Sequence, residues 1–472
     1  MQHKNYTLRF SLVLSLTWLG SAALLWPASA IGSDPFNTEA DISKGNLDVV
    51  SDDAQCNKEK IRNPLSLADV VDLALCNNPQ TRSLWAAARV QAAQVGVSTA
   101  AYLPTLSGQA GVVVEIDPVF GNQVLDSFTR KNASLSASYL LSDFGGRSAT
   151  LENAKQLLIA VNATRDATLQ NNYLAAVQAY YALLSARASV ASFKAAEASA
   201  RESLAAALAR YQAGVATPVD KLQAKTTLSQ ATFSRINAEG NELNAQGTLA
   251  NLMGFDATQI YTLTEISAAT PDTMIEQDIG KLIADARQKR PDLAAAEAQI
   301  KAADAQLDAT LATGRPIITL GAMSGMTDIT NFPVSRNSNI GINLSVPLFT
   351  GFRITYQTRA AEARLQGRVA ERDMLANQIA LDVWKGYQGM LSNSQALRAA
   401  DDLVAAAEQS AKMVLGRYKA GIGNILDTLT AQSALANAHQ QRVNALYNFL
   451  FSRFALAQAI GQLDLTQLEH RN

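Results

Sequence analysis

The residues that invite a chemical reading fall in two matched clusters. Arg210-Tyr211-Gln212-Ala213-Gly214 is followed by Asp220, and Arg417-Tyr418-Lys419-Ala420-Gly421 by Asp427, each aspartate six residues after its glycine. Arginine beside tyrosine offers a cation and an aromatic face, and the aspartates offer fixed negative charge. Such a set does not suit bond breaking. The same residues also read as helix punctuation. Gly214 and Gly421 suit the left-handed position that ends a helix. Thr217 and Asn424 suit the N-caps of returning helices, and Pro218 suits a first helical position. Asp220 and Asp427 then fall three residues after a cap, where a carboxylate favours the positive helix end. Capping is the main role this assigns to both aspartates.

Other chemistry is sparse. There are two cysteines, Cys56 and Cys76, and three histidines, His3, His439 and His470, too few for an ordinary metal site. His439 stands beside Gln440 and Gln441 on a polar stretch and reads as solvated. There is no Gly-rich phosphate loop ending in Lys and no Gly-x-Ser-x-Gly elbow. No enzyme activity, cofactor or metal is expected. Formal net charge is −1, so nucleic acid is not an expected partner.

The elements that must position the clusters can be traced from the N-terminus. Lys4 and Arg9 precede an apolar run from Phe10 to Leu25, and Ala28-Ser29-Ala30 follows, so residues 1–30 read as a secretory signal peptide. Export would place Cys56 and Cys76 where a disulfide persists; a bridge is favoured over two buried thiols. The remaining chain is written twice. Asn78-Pro79 and Arg290-Pro291 open helices that end at Pro104 and Pro316. The tip clusters repeat, and Gly254 matches Gly461. Repeat 1 is assigned to 66–254 and repeat 2 to 278–461. The segments 31–65 and 462–472 are expected to be loose, and 255–277 to form an equatorial linker.

Each repeat has one order. An amphipathic helix (about 66–101 and 278–312) leads into a β-hairpin (105–142 and 317–349). Leu106, Gly108, Ala110, Val112 and Val114 alternate with Thr105, Ser107 and Gln109, and Ile340, Ile342 and Leu344 alternate with Asn339, Gly341 and Asn343. Residues 317–328 alternate less cleanly. A helix of about 147–213 or 353–420 follows, roughly 100 Å long at 1.5 Å per residue, then a tight turn and a return helix of about 218–253 or 425–460. Ala, Leu and Gln dominate, with 17% charged and 6% aromatic residues, as suits long helices with small-residue faces. Four strands cannot close a barrel, and a membrane does not tolerate open edges. Three chains giving four strands each would close one of twelve. Tyr102, Phe128, Phe144, Phe332, Phe349 and Phe352 sit near strand ends as a candidate aromatic girdle, or as junction packing. A soluble β-domain on a helical stalk is the competing reading.

The duplicated frame, Tyr-x-x-Gly before each reversal, the later Asp and the run Val346-Pro347-Leu348-Phe349-Thr350-Gly351 resemble the outer membrane efflux protein (TolC) family over about 66–461. The resemblance implies a mainly α fold with duplicated coiled-coil hairpins and four transmembrane strands per protomer. It implies a homotrimer in outer-membrane lipid, forming a 12-stranded barrel and a helical periplasmic tunnel. The implied partners are a periplasmic adaptor and an inner-membrane ABC or RND-type transporter, and the implied function is a passive exit duct for efflux or type I secretion. The Leu-Ala-Leu-Cys-Asn-Asn-Pro-Gln opening (73–80) and the exported cysteine pair resemble the branch that serves cyclolysin-type export. By this resemblance Gly214, Asp220, Gly421, Asp427 and Thr430 belong to the tip and gate. Arg210, Tyr211, Arg417 and Tyr418 dock the adaptor or brace the tip, with bracing preferred. The positions of the family's linking arginine and inner aspartate hold Gly423 and Thr430, which implies a less acidic constriction with Asp427 as its remaining charge. A periplasmic coiled-coil scaffold or adaptor without a pore is the alternative.

Overall fold

The computed structural model describes residues 34–43, 63–116, 119–120, 123–124, 127–264 and 278–463. The signal peptide assigned to 1–30, Cys56 and the tail after 463 lie outside the described residues.

Each repeat begins with two helices: the spans 66–101 and 278–312, expected as amphipathic helices, break at Asn78 and Arg290, where Asn78-Pro79 and Arg290-Pro291 read as helix openings. Helix α1 (Leu67–Asn77) is followed by α2 (Pro79–Ala100), and α5 (Ile279–Lys289) by α6 (Pro291–Ala312). Asn78 and Arg290 are extended, with ψ of 125° and 122°. The cause is the proline that follows each, which lacks an N–H and disfavours helix at the residue before it. Ser66 caps α1 with a capping box to Asp69, and the Asn78 side chain caps α2 by accepting from the Gln80 N–H at 2.9 Å.

The hairpins follow. Strands β1 (Thr105–Glu115) and β4 (Phe128–Ser142) flank a short ribbon of β2 (Val119–Phe120) and β3 (Gln123–Val124), and β5 (Ile317–Ile329) pairs with β6 (Ser335–Ser345). The main sheet is antiparallel throughout, in the order β1-β4-β5-β6. Apart from a register shift on β4 between Leu140 and Ser142, its register keeps the alternation in phase across the four strands. Leu106 lies opposite Ala137, Ala137 opposite Ala322 and Ala322 opposite Ile340, while Ser107, Ser136, Met323 and Asn339 form the next row. A one-residue slip in any ladder would mix the faces. Met323 on the polar face and Ser324 on the apolar face explain why 317–328 alternates less cleanly; Ser324 is paired with Ser338 across the ladder at 2.9 Å.

Helix α3 (Gly146–Gln212) and helix α7 (Arg353–Lys419) each hold 67 residues, and the return helices α4 (Pro218–Leu252) and α8 (Ile425–Ala459) each hold 35. Helix α3 packs on α2 and α6 in its sheet-proximal half and on α4 and α8 in the other; α7 packs on α6 and α8. Small residues permit the close approach: Ala88, Ala92, Ala298 and Ala302 are among the most buried side chains. The apolar core lies at mid-height. Val70, Val71, Tyr173, Tyr180, Leu183, Leu249, Met253 and Tyr261 pack together there, and Leu282, Ala286, Ile379, Val383 and Ile460 form its counterpart in repeat 2. Burial pushes the Tyr180, Tyr181 and Tyr261 hydroxyls up to about 12, so they stay neutral. Gly254 and Gly461, both at positive φ, explain their repetition. A Cβ on Gly254 would meet the Asn77 carbonyl oxygen at 2.7 Å, and one on Gly461 the Arg290 nitrogen at 3.1 Å. The end of each return helix therefore abuts the start of an upper helix.

Around mid-height, Leu65 forms a parallel bridge with Leu263, donating to Thr262 O at 2.8 Å and accepting from Thr264 N at 2.9 Å. Residues 34–43 are more definite than the loose segment expected: a 3-10 turn (Thr38–Asp41) lies against α2 near Gly96, and Asn162 of α3 donates to Asp41 O at 3.3 Å. Cys76 is half-buried at the end of α1 and carries no free thiol.

Candidate functional site: the helix-reversal tip

The chain reverses twice at the end of the rod remote from the sheet. Gly214 and Gly421 take φ of +72° and +84°, each just beyond the end of a long helix. Chain direction then resets through extended Thr217 and Asn424. The two turns use their aspartates differently. Asp220 completes a capping box: its carboxylate accepts from the Thr217 N–H at 2.9 Å while its own N–H donates to the Thr217 hydroxyl at 3.3 Å. Asp427 donates its N–H to the Asn424 side chain at 2.7 Å, but its exposed carboxylate has no hydrogen-bond or ion-pair partner among the described residues.

Arg210 and Tyr418 tie the two hairpins together. The Arg210 guanidinium lies 4.9 Å from the Tyr418 ring centroid and donates to the Tyr418 carbonyl at 2.9 Å. Tyr418 is buried with Ala207, Ala224, Ile425 and Leu429. Burial pushes its hydroxyl pKa up, with Asp220 adding to the shift and Arg210 opposing it. Tyr211 and Arg417 are exposed instead, Tyr211 with Lys221 Nζ 5.5 Å from its ring. The equivalent residues of the two repeats are thus not equivalent in space. Arg210 and Tyr418 meet, and Tyr211 and Arg417 face outward. Gly423 packs against the end of α7, where a Cβ would lie 3.0 Å from the Tyr418 nitrogen. Exposed Thr430 lies one turn above Asp427 on α8 and borders a shallow groove of about 530 Å³ with Val219, Leu222 and Leu426.

Sequence reasoning did not single out the polar clamp above this point. Gln432 accepts from the Ser203 hydroxyl at 3.0 Å and donates to Ser199 at 2.8 Å, fixing α8 to α3. The available signal was the Ser199/Ser203 spacing of four, which puts both on one helix face. Lys419 pairs with Glu202 nearby. Among the described residues no group of histidine, cysteine and carboxylate side chains could hold a metal ion.

A model of the family described as outer membrane efflux protein matches residues 70–255 and 282–462, running from α1 to the end of α4 and from α5 to the end of α8. The chain belongs to this family. Its relatives include Protein CyaE of Bordetella pertussis, 29% identical over 409 residues and covering 86% of each chain. Outer membrane protein TolC of Vibrio cholerae is 25% identical over 409 residues, covering 84% of this chain and 91% of that protein. The crystal structure of VceC from Vibrio cholerae superposes with a TM-score of 0.73 at 22% identity, covering 84% of this chain and 96% of that one. The Campylobacter jejuni CmeC outer membrane channel does so with 0.73 at 19% identity, over 85% and 88%. The family member described here is therefore an outer-membrane transport protein of channel type with its helical part in the periplasm, not an enzyme. No described helix is long and apolar enough to cross a membrane.

Proposed function

We propose that this family member is the outer-membrane exit duct of a tripartite efflux or type I secretion system, a passive conduit built from three copies. The carrying observation is the sheet. It is apolar on one face and polar on the other, in register apart from a shift between Leu140 and Ser142, and the outer edges of β1 and β6 have no strand partner among the described residues. Strands of 11 to 15 residues are long enough to cross hydrocarbon when tilted. Pairing β6 of one copy with β1 of the next removes both edges, and three copies give the twelve strands of a closed barrel. Tyr102, Phe144, Phe349 and Phe352 then lie at the helix end of the sheet and Phe128 and Phe332 at the loop end, as two aromatic girdles. Phe144 and Phe352 hold φ of 53° and 64° and remain exposed. This supports a role at the lipid interface over junction packing.

The tip turns form the gate in this reading. A periplasmic adaptor and an inner-membrane ABC or RND-type transporter bind the tip better when it is open and so shift its population. Arg210 and Tyr418 brace it, Asp427 supplies its free negative charge, and Tyr211 and Arg417 are available to the adaptor. The Cys56–Cys76 bridge is part of the same proposal. The test uses single cysteines at Ile342 and Asn343, labelled with a fluorophore in liposomes. A lipid-phase quencher should reach the label at 342, and iodide in water the label at 343. Equal aqueous quenching at both sites would point to a periplasmic scaffold without a pore.

A further inference from the structure

The apolar face of the main sheet carries charge at one end only. Alternation puts Leu106, Val112, Tyr139, Leu320, Ile340 and Ile342 on that face, and the same alternation puts Lys131, Asp328 and Arg336 there. Lys131 stands opposite Asp328, and Arg336 stands opposite Met326, two residues nearer the helices. From the Ile318–Leu344 row to the Ser324–Ser338 row the face is uncharged. The polar face is balanced instead. Its strand charges, Arg130 and Glu115, pair at 2.7 Å. On the apolar face Lys131 Nζ lies 3.9 Å from the Asp328 carboxylate with its side chain 64% exposed. Exposed Arg336 has no ion-pair partner among the described residues. Two cations against one carboxylate leave this end of the face with a positive surplus.

Height says what these cations meet. Leu344 to Arg336 is eight residues and Ile318 to Asp328 is ten, which is about 27 Å and about 34 Å along the strands. A tilt of about 40° turns these into about 21 Å and about 26 Å along the membrane normal, against an apolar band about 25 Å tall on an outer-membrane barrel. A charge facing lipid is costly at mid-depth and accepted near the interface. Lys and Arg also reach toward water while their stems stay on apolar surface. Lys131 and Arg336 therefore stand at the headgroup plane of the leaflet remote from the helices. With two strand spacings between them and an offset of two residues, their Cα atoms are about 12 Å apart. Two such long side chains can close that span on one phosphate group between them. Below them Ile340 and Ile342 are 75% and 71% exposed, an apolar surface that suits acyl chains and gives a free phosphate ion nothing.

We propose that Lys131 and Arg336 form a site, one per chain, for the phosphate of an anionic lipid in the outer leaflet. The proposal rests on the membrane-spanning reading of the sheet above. It adds that the lipid at this point is selected by its headgroup charge.

The test counts bound lipid by native mass spectrometry on the full-length protein in a neutral detergent. Phosphatidic acid, whose phosphate is uncovered, should bind at least about tenfold more tightly than phosphatidylcholine with the same chains. Lys131→Gln with Arg336→Gln should abolish the difference, whereas Arg130→Gln, on the other face, should leave it unchanged. Asp328→Asn removes the opposing carboxylate and should strengthen phosphatidic acid binding about threefold, a gain that a misfolded variant cannot give. A large excess of inorganic phosphate should not displace the lipid. Absence of the preference, its survival in the double variant, an equal loss with Arg130→Gln, a failure of Asp328→Asn to strengthen binding or displacement by inorganic phosphate overturns the site. Lipid-phase quenching at 342 without a lipid preference overturns the site alone; equal aqueous quenching at 342 and 343 defeats the spanning reading beneath it.

Discussion

Asp220 and Asp427 occupy matched positions and do different work. The Asp220 carboxylate is consumed by its capping box, while that of Asp427 is exposed and unpaired. Asp220→Ala should lower the stability of the tip by about 1 kcal/mol, as for other lost helix caps, with little change in ion preference. Asp427→Ala should reduce cation preference in conductance measurements more than it lowers trimer stability; full retention of selectivity would remove Asp427 from the gate. The glycines separate in the same way. Gly214 has open space around its Cβ direction, so Gly214→Ala carries only the left-handed strain of about 1 kcal/mol. Gly254→Ala adds a collision with the Asn77 backbone and should cost about 2 kcal/mol more in chemical unfolding. Both glycines were legible in the sequence as repeated residues. The close approach that distinguishes them was not, because it depends on where α1 ends relative to α4. For the same reason the sequence could pair Arg210 with Arg417 and Tyr211 with Tyr418 by alignment, but could not show that the spatial pair is Arg210 with Tyr418.

The hairpin of α3 and α4 is fastened by charge as well as by alanine packing. Glu197 accepts from Arg235 at 2.6 Å and from Thr232 at 3.1 Å, and Arg235 also reaches Glu239 at 2.7 Å. The Arg235 hydrogen bond is the main influence holding the Glu197 carboxyl below its usual value. Because the folded value is the lower one, this contribution to stability is present above the ordinary carboxylate range and is lost as pH falls through the folded value. Glu197→Gln should therefore lower the thermal midpoint at pH 7, and the difference from the unchanged protein should shrink toward zero in acid. A difference that does not depend on pH would show that packing alone matters there. The length of the long helices and the phase of the strands were legible because period and proline placement are local properties. The helix openings at Asn78-Pro79 and Arg290-Pro291 were legible because proline suits a first helical position; the separate short helix before each was not, because an apolar period alone does not show a break.

At the scale of the whole molecule, the proposed duct makes the chain one arc of a ring. The sheet and both helical layers open on the same two sides, and the tip gathers both reversal turns at the end opposite the sheet. The duplication, the mainly α fold with a small sheet and long helices, and the family were legible because they rest on order and repetition along 472 residues. The closure of the proposed ring was not legible, because it depends on which edges the folded sheet leaves open, here the outer edges of β1 and β6. The central claim is that this ring conducts. Detergent-purified protein, shown to be folded, should be added to a planar bilayer and its single-channel current recorded. Discrete openings with a cation bias are the predicted result. Sustained failure of folded protein to insert and conduct would contradict the duct and leave a periplasmic scaffold.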